Sequence, residues 1–340
     1  RNLQGRAGGD RLMAQITMTQ ALNLAIDEAM AEDPGVFCLG EDVSAKQGGG
    51  VFKVTSGLTE KYGEHRIRAT PISETAIIGA AVGAALAGQR PIAEIMLMNF
   101  VGVCMDQIVN HAAKLRFMSG GQTPCPIVIR TTTGVGVGFG GQHSDMLEAW
   151  FAHVAGIHVV TPSNPADARG LMRASIDAND PVIFIENILC YGLKAEDPGP
   201  GYRVPLGKAA VAREGSDISI ITYGRTVLDA LDVANELAKE GISVEVIDLR
   251  TIAPYDEATV LASVRKTGRA LTLHEAVRPF GTGAELAANI QEKCWDSLKG
   301  PVRRIGGTFS AVPFASHLEQ AWIPQKSDII AQIKASVGKL

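Results

Sequence analysis

Thr70-Pro71-Ile72-Ser73-Glu74, followed by Thr75-Ala76-Ile77-Ile78-Gly79-Ala80-Ala81-Val82-Gly83-Ala84-Ala85-Leu86-Ala87-Gly88, sets one carboxylate at the head of a long run of small and apolar residues. Ser73 or Thr70 is placed to cap a helix, and Glu74 falls in its first turn. Gly79, Gly83 and Ala87 lie four apart and share a face nearly bare of side chains, so another backbone can approach it closely. A glutamate held at such an interface is desolvated; its pKa is expected to rise, and it can share a proton with a ligand nitrogen. A capping glutamate with half-exposed oxygens is the simpler reading, and this segment alone favours it.

Working outward, the chain alternates between strand and helix patterns. A helix is expected from about Thr19 to Ala31, stopped by Asp33-Pro34-Gly35. Short apolar strands fit Val36 to Gly40, Pro91 to Met96, Pro126 to Arg130, His158 to Thr161 and Val182 to Glu186. Continuous apolar strands alternating with helices imply an α/β fold with a buried, mostly parallel sheet. Tyr191 to Pro205 carries Pro198, Gly199, Pro200, Gly201 and Pro205, a density at which neither helix nor strand is expected. The alternation then restarts, with strands at Ile218 to Tyr223, Ser243 to Asp248 and Ala270 to His274. The organisation read from this is an N-terminal tail (1–12), a first three-layer domain (13–192), a linker (193–205) and a second three-layer domain (206–340). Residues 1–12 are polar and glycine-rich without an apolar core, unlike a signal peptide; they read as an appended tail before Met13, or a presequence remnant.

With 340 residues, 46% of them hydrophobic and 20% charged, the composition is that of a globular protein of two domains. A net charge of -4 gives no electrostatic case for nucleic acid or an anionic membrane. The longest low-polarity run, Ala76 to Gly88, is too short to cross a bilayer. Cys38, Cys104, Cys125, Cys190 and Cys294 are scattered and form no C-x-x-C pair, which argues against a zinc site or a disulfide framework. Cys104 and Cys125 read as small buried hydrophobes. A reducing compartment follows: the bacterial cytoplasm, with the mitochondrial matrix or a plastid as alternatives.

Three further places carry chemistry. The stretch from Thr131 to His143, with glycines at 134, 136, 138, 140 and 141, superficially resembles a phosphate-binding loop. It lacks the Gly-Lys-Ser/Thr ending, and its G-x-G-x-x-G spacing fits loosely. It reads better as a flexible, close-approach loop that presents His143, whose imidazole can shuttle protons near neutrality beside Ser144-Asp145. An ordinary surface loop is the alternative. Asn99-Phe100 follows a strand end, where ligands bind in α/β sheets, although a core phenylalanine would look the same. His111 and His153 read as core or interface residues, and no H-x-x-x-H or H-E-x-x-H pattern exists.

Leu39-Gly40-Glu41-Asp42-Val43, Gly49-Gly50-Val51-Phe52, Thr70 to Glu74, Gly79 to Gly88, Asp106-Gln107-Ile108, Gln142-His143-Ser144 and Asp248-Leu249-Arg250-Thr251 stand in this order. Together they resemble the β subunit of the thiamine-diphosphate-dependent E1 component of 2-oxo acid dehydrogenase complexes, the family of pyruvate, branched-chain 2-oxo acid and acetoin dehydrogenases. The resemblance runs from Met13 to the C-terminus. It implies a transketolase-type pyrimidine-binding domain followed by a transketolase C-terminal-type domain. It also implies an α2β2 heterotetramer with an E1 α subunit, the cofactor lying at α/β interfaces. By that resemblance Glu74 hydrogen-bonds N1′ of the aminopyrimidine and favours its imino tautomer, Phe100 packs on the pyrimidine, and His143 faces the reacting carbon and the incoming lipoyl group of E2. It further implies docking of the E2 acyltransferase core by the second domain, for which the last residues, Ile330 to Leu340, are the expected site.

Thiamine diphosphate needs Mg2+, held by hard oxygen ligands and usually a Gly-Asp-Gly motif. Nothing in this chain matches; Gly9-Asp10 lies in the tail. The Mg2+ and the diphosphate are therefore expected on the α chain, and this chain alone is expected to be inactive. The resemblance also implies K+ held by backbone carbonyls, and Ser175 to Asp180 lies in the corresponding region. Val103 departs from the polar residue that several relatives carry near the pyrimidine. Two other functions compete: the C-terminal subunit of a split transketolase, and a binding-only paralogue that serves as a scaffold. Glu74, Phe100 and His143 together argue against the scaffold, and the Asp248 to Thr251 and Gln142 to Ser144 motifs favour the dehydrogenase. The acyl group is not readable, since a pocket separates substrates by only about 1–3 kcal/mol per methylene.

Overall fold

A computed structural model describes residues 14–338; the tail expected at 1–12 lies outside the described residues. A seven-stranded sheet forms the first domain. Its spatial order is Thr251–Ala253, His158–Val160, Val182–Asn187, Val128–Thr133, Arg90–Leu97, Val36–Glu41 and Ile67–Thr70. All neighbours are parallel except the first pair. The second sheet runs Arg303–Gly307, Ala270–Val277, Ile218–Thr222, Val244–Asp248 and Ala210–Arg213, with only the last strand antiparallel. Helices cover the sheets, giving the α/β architecture that the alternating pattern predicts. Among the described residues no helix is long and apolar enough to cross a membrane.

The first helix, Met18–Glu32, starts at a capping box in which Thr17 and Gln20 exchange side-chain-to-backbone hydrogen bonds. It packs against Pro165–Asp177, where Arg169 and Arg173 pair with Glu28 and Glu32. Arg130 is buried in mid-sheet. It binds Glu94 at 2.5 Å and both oxygens of Glu186 at 2.7 Å, while Tyr191 O–H donates to Glu186. The strand expected to end at Arg130 continues to Thr133, and the neighbouring strands supply both carboxylates that hold the guanidinium. All five cysteines are free and buried. Burial pushes the Cys104 thiol up to about 12 and the Cys125 thiol to about 11, so both act as hydrophobes.

One expectation needs correction. The linker contains a strand, Lys194–Glu196, paired antiparallel with Gln15–Thr17; these three residues precede the first proline and keep their N–H groups. The segment expected to dock E2, as far as it is described, belongs to a helix with one face packed and the other exposed. The helix Lys326–Val337 buries Ile329 and Ile333 in the core of the second domain, and Arg269 donates to Ser336 O. Removing 330–340 would take Ile333 out of the core, so it would perturb folding as well as any docking.

The domains share a core and a sheet. Thr251–Ala253, just after the second domain's strand Val244–Asp248, adds itself to the edge of the first domain's sheet. Arg250, at φ 58°, makes the turn between the two strands and pairs with Asp167 at 2.7 Å. Asp248-Leu249-Arg250-Thr251 is thus the crossover that locks the domains. One apolar cluster continues from Ile183 and Phe151 of the first domain to Ile247, Val260 and Leu286 of the second.

Candidate functional site

The carboxyl ends of the parallel strands in the first sheet define one rim, the place where α/β sheets bind ligands. Glu74 begins the helix Glu74–Leu86 and is 9% exposed. Ser73 is the N-cap by position, but its hydroxyl makes no capping bond; its backbone (φ -171°, ψ 64°) departs from the usual cap conformation. Thr70 Oγ1 is buried without a partner, so neither candidate caps the helix. The Ser73 backbone faces the Glu41 carboxyl. Burial and then the nearby Glu74 charge push that carboxyl up, more than the Ser73 backbone draws it down. Sequence reading passed over Glu41. The parallel register opposes it to Thr70, four residues before Glu74; its place in Leu39-Gly40-Glu41-Asp42 at a strand end is the signal that could have found it.

The helix buries Ile77, Ile78, Ala81, Val82 and Ala85. Its other side, with Ala76, Gly79, Ala80 and Gly83, is exposed. A Cβ on Gly83 would meet nothing within 4 Å, and one on Gly79 only Gln107 Cγ at 3.7 Å. Among the described residues nothing makes the close approach expected on this face.

Phe100 lies in the 3-10 segment Met98–Cys104, which follows the strand Arg90–Leu97. Thr75 Oγ1 donates to Val103 O at 2.8 Å, tying the head of the Glu74 helix to this segment. At its other side the Phe100 ring meets His143 edge-on, with centroids 5.4 Å apart and planes at 78°. The structure thus joins Phe100 to His143 directly, and Glu74 to both through residues 98–104. Val103 is 60% exposed.

His143 is less free than a flexible loop would leave it. Asn99 donates to Asp145 Oδ2 at 2.7 Å and accepts from Asp145 N–H at 3.1 Å, and Thr133 Oγ1 donates to Asp145 O at 2.7 Å. His143 Nδ1 is buried and lacks a hydrogen-bond partner. A cleft of about 380 Å3 opens beside it, lined by Val51, Phe52, Met96, Leu97, Phe139 and Phe314. Phe314 comes from the second domain, and no local signal in the sequence places it here. His111 and His153, expected in core or interface, are exposed in the single chain.

Residues 14–191 match the family described as "Transketolase, pyrimidine binding domain", and 207–329 match "Transketolase, C-terminal domain". The chain is 45% identical over 324 residues to a protein of Oryza sativa subsp. japonica named pyruvate dehydrogenase E1 component subunit beta-2, mitochondrial, covering 94% of this chain and 86% of that one. It is 44% identical over 326 residues to the pyruvate dehydrogenase E1 component subunit beta of Staphylococcus epidermidis, covering 96% and 99%. The chain belongs to the E1 β-subunit family of the pyruvate and acetoin dehydrogenase type. A third relative within this E1 β family, the acetoin:2,6-dichlorophenolindophenol oxidoreductase subunit beta of Cupriavidus necator, is 43% identical over 331 residues, covering 95% and 98%. A split gene transketolase, solved as an inactive β4 tetramer, superposes with a TM-score of 0.76 over 95% of this chain and 98% of that one. At 22% identity it shares the fold alone.

Thiamine diphosphate is the cofactor that the E1 β family implies, and the rim suits its pyrimidine half. A mostly buried acid stands at a helix head, an aromatic ring sits beside an apolar cleft, and a buried imidazole nitrogen lacks a partner. Among the described residues no group of three or more His, Cys, Asp or Glu could hold a metal ion. In the segment expected near K+, Arg90 Nη1 donates to Ile176 O at 3.0 Å and to Ala178 O at 2.9 Å. Those carbonyls already face a cation of the chain's own.

Proposed function

We propose that this chain is the β half of a thiamine-diphosphate-dependent E1 enzyme and that it carries the pyrimidine side of a cofactor site completed by an α chain. The observation that carries the reading is the partnerless, buried His143 Nδ1, held edge-on to Phe100 beside an apolar cleft and joined through residues 98–104 to Glu74. When bound, the cofactor supplies the carbanion stabilisation that decarboxylating a 2-oxo acid, or cleaving acetoin, requires. Glu74 holds a proton at a pyrimidine nitrogen. Phe100 offers an apolar surface that orients the ring. His143 moves a proton at the acyl centre, and Met96 and Leu97 keep water from it. The lipoyl domain of E2 would be the acyl acceptor, its disulfide opening to supply the two-electron oxidation.

Mg2+ and the diphosphate fall to the α chain, because no motif here suits them. We assign K+ no part in the chemistry. The open helix face of Ala76, Gly79, Ala80 and Gly83 fits an α2β2 heterotetramer, since a helix apolar all round needs cover. We divide the chain into domains at 193–205 and place it in a reducing compartment.

Titrating thiamine diphosphate and Mg2+ into the chain, alone and with its α partner, tests the reading. Tight binding and turnover of pyruvate or acetoin are expected only for the mixture. Turnover by the single chain would contradict the shared site, and a mixture that turns over sugar phosphates instead would favour the split-transketolase alternative.

A further inference from the structure

The glycine-rich loop before His143 is filled from the far end of the chain. Glu319, in the helix Ser316–Trp322, is 2% exposed. Its Oε1 accepts hydrogen bonds from the backbone N–H of Gly136 at 2.6 Å, Val137 at 3.1 Å and Gly138 at 3.1 Å, and its Oε2 accepts a second from Gly138 at 3.1 Å. Successive N–H groups converging on one point form an anion-binding nest, the kind of concavity that cradles phosphate elsewhere. Here a carboxylate of the second domain occupies it. The preceding N–H, of Val135, goes to Glu275 Oε1 at 2.8 Å, and Glu275 Oε2 accepts from Asn187 at 2.9 Å. Two carboxylates of one domain thus bind four consecutive N–H groups of the other.

The same C-terminal segment moulds the rest of the loop. A Cβ on Gly140, at φ +73°, would lie 2.4 Å from the Phe314 ring, and one on Gly141 would be 3.2 Å from Ala311 Cβ. His143 follows two residues later. A stretch with five glycines has no shape of its own, since each glycine visits both signs of φ freely. Its course must come from what binds it.

We propose that Glu319 is a positioning residue for His143. It fixes the loop on the N-terminal side of the imidazole as Asn99 fixes it on the C-terminal side through Asp145. The setting of the second domain against the first thereby sets the placement of the imidazole. This inference rests on the reading of His143 as the group that handles the acyl centre. Glu319 touches neither cofactor nor substrate, so its loss displaces the imidazole without removing it.

The test uses the chain reconstituted with its α partner. Glu319→Ala should leave thiamine diphosphate affinity unchanged and lower single-turnover acylation of the lipoyl domain by about 10²-fold, the usual cost of misplacing a reacting group by about 1 Å. Added acetate, which fits the vacated nest, should restore acylation in a saturable way and leave the wild type unaffected. Amide exchange across 134–143 should quicken in the variant and slow again with acetate. A purely structural glutamate would give neither the split between affinity and acylation nor the rescue. Should the alanine variant fail to assemble, Glu319→Gln decides, because it keeps the Oε1 acceptor and loses only the second bond from Gly138. It should acylate nearly normally while exchanging faster at Gly138. Wild-type amide exchange in either variant, or wild-type acylation by a folded Glu319→Ala tetramer, overturns the proposal. His143→Ala is assayed alongside. Normal acylation by that variant refutes the reading of His143, whereas unaltered loop exchange in Glu319→Ala refutes the role of Glu319, so the two failures are distinguishable.

Discussion

Tyr223 of the second domain donates a 2.6 Å hydrogen bond to Glu148 of the first, in an interface from which water is excluded. Thr282 adds a weaker bond at 3.4 Å to the same oxygen, and Glu148 Oε2 has no partner. Beyond Tyr223 lies His274, ring stacked on ring at 6.2 Å, which burial pushes down to about 4 and keeps neutral. Among the described residues no ion pair reaches this carboxyl, so the domains meet there around an acid that is hard to ionise.

The stability of the interface should therefore depend on pH. Burial, with a small push from the Glu275 charge and opposed by the Tyr223 bond, raises the Glu148 carboxyl from 4.5 to about 7. A raised folded pKa means a contribution that is complete below the unfolded value and is lost as pH climbs through the folded one, here between about 4.5 and 7. A shift of that size corresponds to about 3–4 kcal/mol at most, at about 1.4 kcal/mol per pKa unit. Asp248, bound by Ser163 at 2.5 Å, is also raised to about 7, so it adds to the wild-type slope. Glu148→Gln keeps an acceptor for Tyr223 and removes one titration. Melting temperatures between pH 5.5 and 8.5 should fall less steeply for the variant; equal slopes would contradict a neutral Glu148.

Glu74→Gln should abolish most activity while leaving the fold intact. The residue stands at a helix start, and its side chain accepts no bond that the helix needs for its cap. Removing a preorganised interaction with a developing charge costs about 2.7–4 kcal/mol of barrier, or about 10²–10³ in rate. Deuterium exchange at C2 of the bound cofactor reads this step directly. Wild-type exchange by a well-folded complex carrying the substitution would remove Glu74 from the chemistry.

The parts of this architecture set by local pattern were legible in the sequence. Apolar strands, the Asp33-Pro34-Gly35 stop and Glu74 at a helix head all follow from neighbours within a few positions, and the structure places them there. What escaped depends on partners far along the chain. Arg130 reads as a strand end until Glu94 and Glu186 are seen on the adjoining strands. Glu41 meets Glu74 only because parallel pairing sets it opposite Thr70. The glycine loop reads as free because its ligand, Glu319, lies more than 180 positions away. Lys194–Glu196 becomes a strand only because Gln15–Thr17 offers it an edge. Periodicity carries no information about such pairings.

The Arg250–Asp167 pair should bear much of the domain coupling. Asp167 is buried and receives Arg250 Nη2 at 2.7 Å and Nε at 3.0 Å. Arg250→Ala leaves that carboxylate with Asn164 as its remaining side-chain donor. Breaking a buried pair by removing one partner costs about 3–5 kcal/mol. A lowered melting temperature is expected, together with faster proteolysis near the crossover at Thr251–Ala253. Asp167→Asn with Arg250→Ala should recover part of the loss, because no buried charge is then left alone. A single Arg250→Ala variant as stable as the wild type would show that the shared core, not the ion pair, holds the domains.

His143 should matter for acyl handling and little for cofactor binding. Its ring contacts Phe100 edge-on, but its buried nitrogen has no partner among the described residues, and its loop is fixed from two sides. Replacing it with alanine removes the imidazole and leaves the Asn99–Asp145 clamp and the Glu319 nest in place. Thiamine diphosphate affinity should stay close to wild type in the reconstituted complex. Decarboxylation, or acylation of the lipoyl domain, should fall by about 10²-fold or more, the range typical of a general acid–base group. A purely structural role makes the opposite forecast: a lower melting temperature with normal turnover per folded site. Cofactor affinity, melting temperature and single-turnover acylation measured on one preparation separate the two, and normal acylation by a well-folded His143→Ala complex would end the catalytic assignment.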